Sequence, residues 1–110
     1  MMAGTNPLRW EVWLATVYFE DDPNIAKERP VIVIDVTASD IYVAIKVTSS
    51  PPRSGDSKEY PIRNWGYAGL NKQSTARCSK ILRIPRSEMI HYIGTLHPVD
   101  IMEIQRRLVS

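Results

Sequence analysis

Residues Arg29–Thr48 read RPVIVIDVTASDIYVAIKVT, two apolar runs on either side of a polar break. Pro30 has no N–H to give to a ladder, so it predicts the first position of a strand over residues 31–36. Thr37 to Asp40 carries hairpin-turn chemistry. The return run, 41–48, sets Ile41, Val43, Ile45 and Val47 on one face. An antiparallel hairpin turning near residue 38 pairs positions whose numbers add to about 77, which puts Arg29 opposite Thr48. Side chains alternate with a period of two, so a one-residue slip would send these two to opposite faces.

Upstream, WEVWLATVYF at 10–19 is apolar on both alternating faces, as in a strand over 11–19 buried on both sides. Glu20 to Asn24 ends it with turn chemistry, and with Ile25 to Arg29 predicts a loop of about ten residues delivering Arg29. Downstream, Ser49 to Asp56 is a polar loop stiffened by Pro51 and Pro52. Tyr60 to Ile62 has the makings of a short strand, and Asn64 to Leu70 is a glycine-rich turn. A strand over 74–84 ends at Pro85. Its alternation puts Arg77, Ser79, Ile81 and Arg83 on one face, and Ala76, Cys78, Lys80, Leu82 and Ile84 on the other.

The clearest signals mark a helix over 98–109. Pro98 suits the first helical position, where its missing N–H has no partner to lose, and His97 falls at the N-cap. Asp100 favours the positive end of the helix dipole, Arg106 and Arg107 the negative end. Ile101, Ile104 and Leu108 form an apolar stripe, and Glu103 and Arg107 an i,i+4 pair. Five or six short strands and one terminal helix make the chain mainly β (α+β), a small, strongly bent barrel with a C-terminal helix.

Its 110 residues, 44% apolar and 24% charged, are enough for a single domain over 1–110 with a core that needs no disulfide or metal staple. One cysteine excludes an internal disulfide and a Cys-based zinc finger. Cys78 falls mid-strand and reads as a small core residue rather than a nucleophile. His91 and His97 stand six apart with no acidic cluster beside them, so no metal is expected, and no phosphate-binding glycine loop implies a cofactor. No apolar run suits a membrane span and the start lacks a signal-peptide pattern, so no membrane is expected and the cytoplasm is the expected compartment. The net charge of +2 is unevenly placed: residues 11–40 hold seven acids and two bases, residues 53–86 eight bases and two acids. Such asymmetry makes a polyanion one candidate partner, beside plain solvation of a surface. Arg29 and Arg77 have the same double reading, as site residues or as members of surface ion pairs.

Five stretches in order resemble the PemK/MazF toxins of bacterial toxin–antitoxin systems. They are Glu11 to Leu14; Lys27-Glu28-Arg29-Pro30 with its apolar run; Val47-Thr48-Ser49; Ala76-Arg77-Cys78-Ser79-Lys80-Ile81; and Ile93 to Leu96 followed by Pro98-Val99-Asp100. The resemblance spans residues 10–108. It implies an SH3-like β-barrel with a C-terminal helix, paired as a homodimer. It also implies a metal-independent endoribonuclease acting on single-stranded mRNA, restrained by an acidic cognate antitoxin. By the same resemblance Arg29, Thr48 and Arg77 are the catalytic positions. Ser79 stands where some members have Asp, and Pro23 where some have His.

Cleavage without metal needs a group to take the 2′-OH proton, one to protonate the leaving 5′ oxygen, and cations to hold the phosphorane charge. A guanidinium suits the last task because it is planar, always charged and bidentate to phosphate. The remaining RNA contacts are expected from Ser49, Arg53, Ser79 and Lys80, with Trp65, Tyr60 or Tyr67 available to stack on bases. Trp10, Trp13 and the stripe of the last helix are the expected dimer surface. The competing class is a member of the same fold that binds nucleic acid without cutting it, or poisons a protein such as DNA gyrase.

Overall fold

The computed structural model describes residues 6–18, 22–37 and 39–109. The chain runs β1 (Glu11–Tyr18), β2 (Ala26–Val36), β3 (Ile41–Thr48), β4 (Glu59–Pro61), β5 (Thr75–Pro85), a 3-10 turn (Arg86–Glu88), β6 (Met89–Thr95) and α1 (Pro98–Val109). The strands form one antiparallel sheet in the order β4-β5-β3-β2-β1-β6. No pairing joins β4 to β6 among the described residues, so the expected barrel is a curled sheet rather than a hydrogen-bonded ring.

The curl follows from bulges, which bend and over-twist a strand. Register shifts fall between Val12 and Trp13, Leu14 and Ala15, Val33 and Asp35, and Ile45 and Lys46. The last matters most. Ile45 pairs with Ile81, yet the next residue, Lys46, pairs with Arg77, so residues 78–80 bulge out of β5. The expected face shared by Ala76, Cys78, Leu82 and Ile84 is therefore split: Ala76 and Cys78 join one core cluster, Ile84 and Leu82 the other.

Those two clusters lie on the two faces of the sheet. On one, Val12, Ile32, Ile45, Val47, Leu96 and Ile104 pack with α1. On the other, Trp13, Ala15, Val31, Val33, Tyr42 and Met89 pack together, with Leu82 beside them. β1 feeds both clusters, as expected for a strand apolar on both faces. Each large aliphatic side chain so enclosed contributes roughly 1.5–3 kcal/mol. Trp13 is 3% exposed and donates its indole N–H to Glu11 Oε1 at 2.9 Å, so it belongs to the core and offers no dimer surface.

The hairpin register holds as expected. Val31 pairs with Lys46, Ile32 with Ile45 and Val33 with Ala44 before the bulge shifts it by one. β2, however, begins at Ala26 and not at Val31, so part of the expected loop is strand. Residues 26–30 pair with β1 alone, Pro30 standing opposite Leu14. Upstream of Val31 the strand is bonded on one side only, and a proline there removes no bond on the other. Phe19, Glu20 and Asp21, within the expected first strand and its acidic turn, lie outside the described residues, as does Ala38 of the hairpin turn.

β6 is a strand that the pattern reading did not separate from its surroundings; it covers the outer edge of β1. α1 starts and ends as expected. His97 caps it with its ring, Nδ1 accepting the Val99 N–H at 3.1 Å, while its carbonyl accepts the Ile101 N–H. Ile104 is wholly buried, with Ile101 and Leu108 half-buried beside it. Between α1 and the sheet an apolar groove of about 610 Å³ remains open, lined by Trp10, Ile34, Val43, Met102, Leu108 and Val109. No helix among the described residues is long and apolar enough to cross a membrane.

Candidate functional site

Arg29 and Thr48 line one cleft where the central hairpin runs out. The β2–β3 ladder prints its first pair at Val31 and Lys46; carried two residues further, the same register sets Arg29 against Thr48. A cleft of about 180 Å³ opens there, lined by Glu28, Arg29, Thr48, Ser49, Lys72 and Ser74, with Pro30, Val47, Leu70 and Asn71 completing its walls. Arg29 is fixed through its backbone, opposite Ala15 of β1. The residue is half-buried, and its guanidinium forms no hydrogen bond or ion pair with any described residue. Thr48 is fixed from the other side by its pairing with Thr75 of β5. Its hydroxyl accepts the Ser50 N–H at 3.2 Å, which turns the chain out of β3 and leaves the hydroxyl proton to donate.

Two further cleft residues, Lys72 and Ser74, come from the segment before β5. The turn over 63–69 folds back on itself, with Leu70 N–H bonded to Trp65 O at 3.0 Å. It is seated by two glycines. Gly69 has a φ of +87°, and a Cβ on it would collide with the backbone of Ile93; a Cβ on Gly94 would collide with Ala68. Beyond it, Ser74 O accepts the Ile62 N–H at 2.9 Å, and Ser74 Oγ donates to Lys72 O at 2.9 Å. Nothing in the composition of that stretch marks Lys72. Its place depends on contacts to β6, which is remote in sequence.

Arg77 does not line this cleft. It stands two positions along β5 from Thr75 and bonds to Glu59 of β4, Nε to Oε2 at 2.7 Å, with the arginine side chain 13% and the carboxylate side chain 2% exposed. Glu59 Oε1 also accepts the Arg53 N–H at 2.8 Å, so Arg53 meets this carboxylate through its backbone, its side chain exposed. Burial, the largest influence, pushes the Glu59 carboxyl up, but the Arg53 amide and the Arg77 guanidinium together outweigh it and hold the group below its ordinary range. Of the two earlier readings of Arg77, the ion pair is the one its side chain adopts, but the pair is buried rather than at the surface. The sequence reading missed Glu59 because an acid just ahead of a short strand carries no signal until β4 is registered against β5.

The remaining expected contacts are dispersed. Ser49 is in the cleft. Ser79, exposed, and Lys80, half-buried, ride the β5 bulge. Trp65 lines a different cleft, of about 510 Å³, with Tyr60, Arg63, Gln73, Glu103 and Arg107. Tyr60 is buried under the Arg107 guanidinium, 4.6 Å from its ring centre, and donates to Asp100, so it cannot stack on a base. Asp100, fully buried, also accepts the N–H groups of Arg63 at 3.0 Å and Asn64 at 2.9 Å, tying the turn to the start of α1. Tyr67 is exposed and edge-on to His97. The Cys78 thiol is buried, and burial pushes its pKa up to about 11, the opposite of an activated nucleophile. No group of three or more His, Cys, Asp or Glu that could hold a metal occurs among the described residues.

Residues 8–110 match the family of PemK-like, MazF-like toxins of type II toxin–antitoxin systems. No curated protein matches by sequence. Among solved structures, an endoribonuclease from a mycobacterial species superposes with a TM-score of 0.72 at 13% identity, over 98% of this chain and 92% of that one. MazF from Deinococcus radiodurans gives 0.72 at 16% identity, over 94% of each chain. The Mycobacterium tuberculosis toxin MazF-mt6 gives 0.70 at 20% identity, over 89% of this chain and 91% of that one. At these identities the likeness is one of fold.

Proposed function

We propose, for a chain that belongs to the PemK-like, MazF-like toxins of type II toxin–antitoxin systems, that it is an endoribonuclease cutting single-stranded mRNA at the Arg29–Thr48 cleft. The observation that carries this reading is a guanidinium with no partner among the described residues, sharing one small cleft with a backbone-fixed hydroxyl. The reaction is a transesterification. The 2′ oxygen attacks the adjacent phosphorus, the bond to the 5′ oxygen breaks as that oxygen takes up a proton from solvent water at the mouth of the cleft, and the products are a 2′,3′-cyclic phosphate and a 5′-hydroxyl. Arg29 holds the charge that builds on the phosphorane oxygens, where a preorganised cation is worth most. Thr48 orients the 2′-OH. Glu28 is the carboxylate that lines the cleft and takes the 2′ proton. Asp22, in the turn ahead of β2, instead has its carboxylate turned onto the Asn24 N–H at 3.0 Å.

The partners follow from the same membership. Solved neighbours include an endoribonuclease in complex with its cognate antitoxin and a MazE–MazF complex from Deinococcus radiodurans. An acidic antitoxin segment would compete with RNA for the cations of the cleft. Two copies of the chain pair through the apolar groove beside α1, where Met102 is 48% and Val109 87% exposed. Sedimentation that finds only monomer at tens of micromolar would count against the pairing.

The deciding experiment incubates purified protein with a long single-stranded RNA in EDTA and maps the new ends. Cuts bearing 2′,3′-cyclic phosphates are the expected result. Intact RNA, with or without added divalent ions, would overturn the reading and leave a non-cutting member of the fold.

A further inference from the structure

We infer that Lys72 is the second phosphate-binding cation of the cleft, in the position that the second arginine, Arg77, does not fill. The inference rests on the reading of the cleft as an RNA site and names a residue that reading does not need. Three observations carry it.

The first is what Arg77 does instead. Its Nε–H is given to a carboxylate that is almost wholly enclosed, and its side chain is 13% exposed. Turning it toward a phosphate would leave the Glu59 carboxylate buried without its counter-ion, held by the Arg53 amide alone. The second is where Lys72 stands. It lines the same cleft as Arg29 and Thr48, is exposed, and forms no hydrogen bond or ion pair with any described residue. Two cations, one acid, Glu28, and three hydroxyl residues, Thr48, Ser49 and Ser74, then surround a volume of about 180 Å³, enough for one phosphate group and part of its sugar.

The third is that the Lys72 backbone is held. Ser74 Oγ grips its carbonyl, Ser74 in turn is bonded to Ile62, and the turn before it is packed against Ile93 and Gly94. A lysine on a free loop would lose backbone entropy on binding. Here that cost is already met in the fold, and only the side chain is ordered by the phosphate. A lysine suits the place as a point charge that can follow the phosphate as it becomes pentacoordinate, whereas Arg29 supplies the fixed, bidentate contact.

The test uses the intact protein, a cleavable RNA, and the same RNA with the 2′-hydroxyls methylated so that it binds without being cut. Lys72→Met is expected to lower kcat/KM on the cleavable RNA at least tenfold, and Lys72→Arg to recover most of it. On the uncleavable RNA, Lys72→Met should make the plot of log affinity against log salt shallower by about 0.7, the loss of one contact to a single strand. The control Arg83→Gln, at an exposed residue outside the cleft, should leave that slope in place. A wild-type enzyme that cuts RNA beside a Lys72→Met variant with unchanged kcat/KM and salt slope would overturn the inference while leaving the proposed function standing. A wild-type protein that binds the methylated RNA and loses 0.7 of slope in Lys72→Met, but never cuts, would keep Lys72 in its role and remove the ribonuclease. A wild-type protein with no affinity for RNA would overturn both.

Discussion

Glu59 and Arg77 face each other across β4 and β5 and share a 2.7 Å hydrogen-bonded ion pair, with the carboxylate side chain 2% exposed. The other carboxylate oxygen accepts the Arg53 amide, so both oxygens are engaged. The pair therefore joins three parts of the chain: the proline loop that leaves the cleft at Ser49, the short strand β4, and the long strand β5. The Arg77 side chain thus ties the edge strand β4 to β5.

Removing one partner of a buried pair strands the other. Glu59→Ala is expected to destabilise the fold by about 3 kcal/mol or more, because it leaves the Arg77 cation and the Arg53 amide without an acceptor. Equilibrium unfolding in urea measures this directly. A midpoint equal to that of the wild type would mean that the pair contributes nothing and that Arg77 is free to act elsewhere.

Titration of the same carboxylate sets an acid limit. The folded state holds Glu59 below its ordinary value of 4.5, so the unfolded chain takes up a proton first as the pH falls. The stability this supplies is complete above about pH 4.5 and is lost as the pH drops through the lower folded value. Melting temperature should fall over that acidic window, and the fall should be smaller in Glu59→Gln, which has no charge to lose there. Equal acid slopes in the two proteins would refute the assignment.

The alkaline side has the opposite sign. Burial and the bond to Asp100 raise Tyr60 from 10.0 to about 12, and burial raises Cys78 from 9.0 to about 11. Both contribute stability that is full below the unfolded values and lost as the pH rises through the folded ones. Thermal unfolding should be flat to about pH 9 and decline beyond it. Tyr60→Phe should be less stable at neutral pH, having lost the bond to Asp100, yet show a gentler alkaline decline. The wild-type slope retained in Tyr60→Phe would be the contrary result.

How much of this was legible in the sequence divides along the lines of range. The hairpin register, the helix bounds and the His97 cap depend on residues close in sequence, and they stand where the pattern puts them. The meeting of Arg29 with Thr48 and Ser49 follows from that register. Lys72 and Glu59 could not be read, because each acquires its neighbours through pairings of remote segments: the turn against β6 and β4 against β5. The β5 bulge was invisible for a related reason. Alternation in a sequence shows faces only while the register is constant, and three extra residues between Arg77 and Ile81 exchange them.

Glu28 is the proton acceptor in the proposed reaction. Glu28→Gln should lower kcat at least tenfold while binding of methylated RNA is retained, since the amide fills the same space without basicity. A kcat equal to that of the wild type would move the base elsewhere.

Arg29 carries the greatest weight, and its prediction separates function from stability. Its guanidinium supports no hydrogen bond or ion pair among the described residues, so no bond among them is lost with it. The backbone that presents it is held by β1 whatever the side chain, through the pairing of residue 29 with Ala15. In the reaction, by contrast, it is the fixed donor toward the phosphorane, and deleting such a donor costs about 3 kcal/mol or more of transition-state stabilisation. Arg29→Ala should therefore cut RNA at least a hundredfold more slowly, about 1.4 kcal/mol for each factor of ten, with a melting temperature near that of the wild type. Arg29→Lys should recover only part of the rate, because a point charge cannot replace two parallel N–H groups on one phosphate. Cleavage by Arg29→Ala at the wild-type rate would remove the cleft from the reaction altogether.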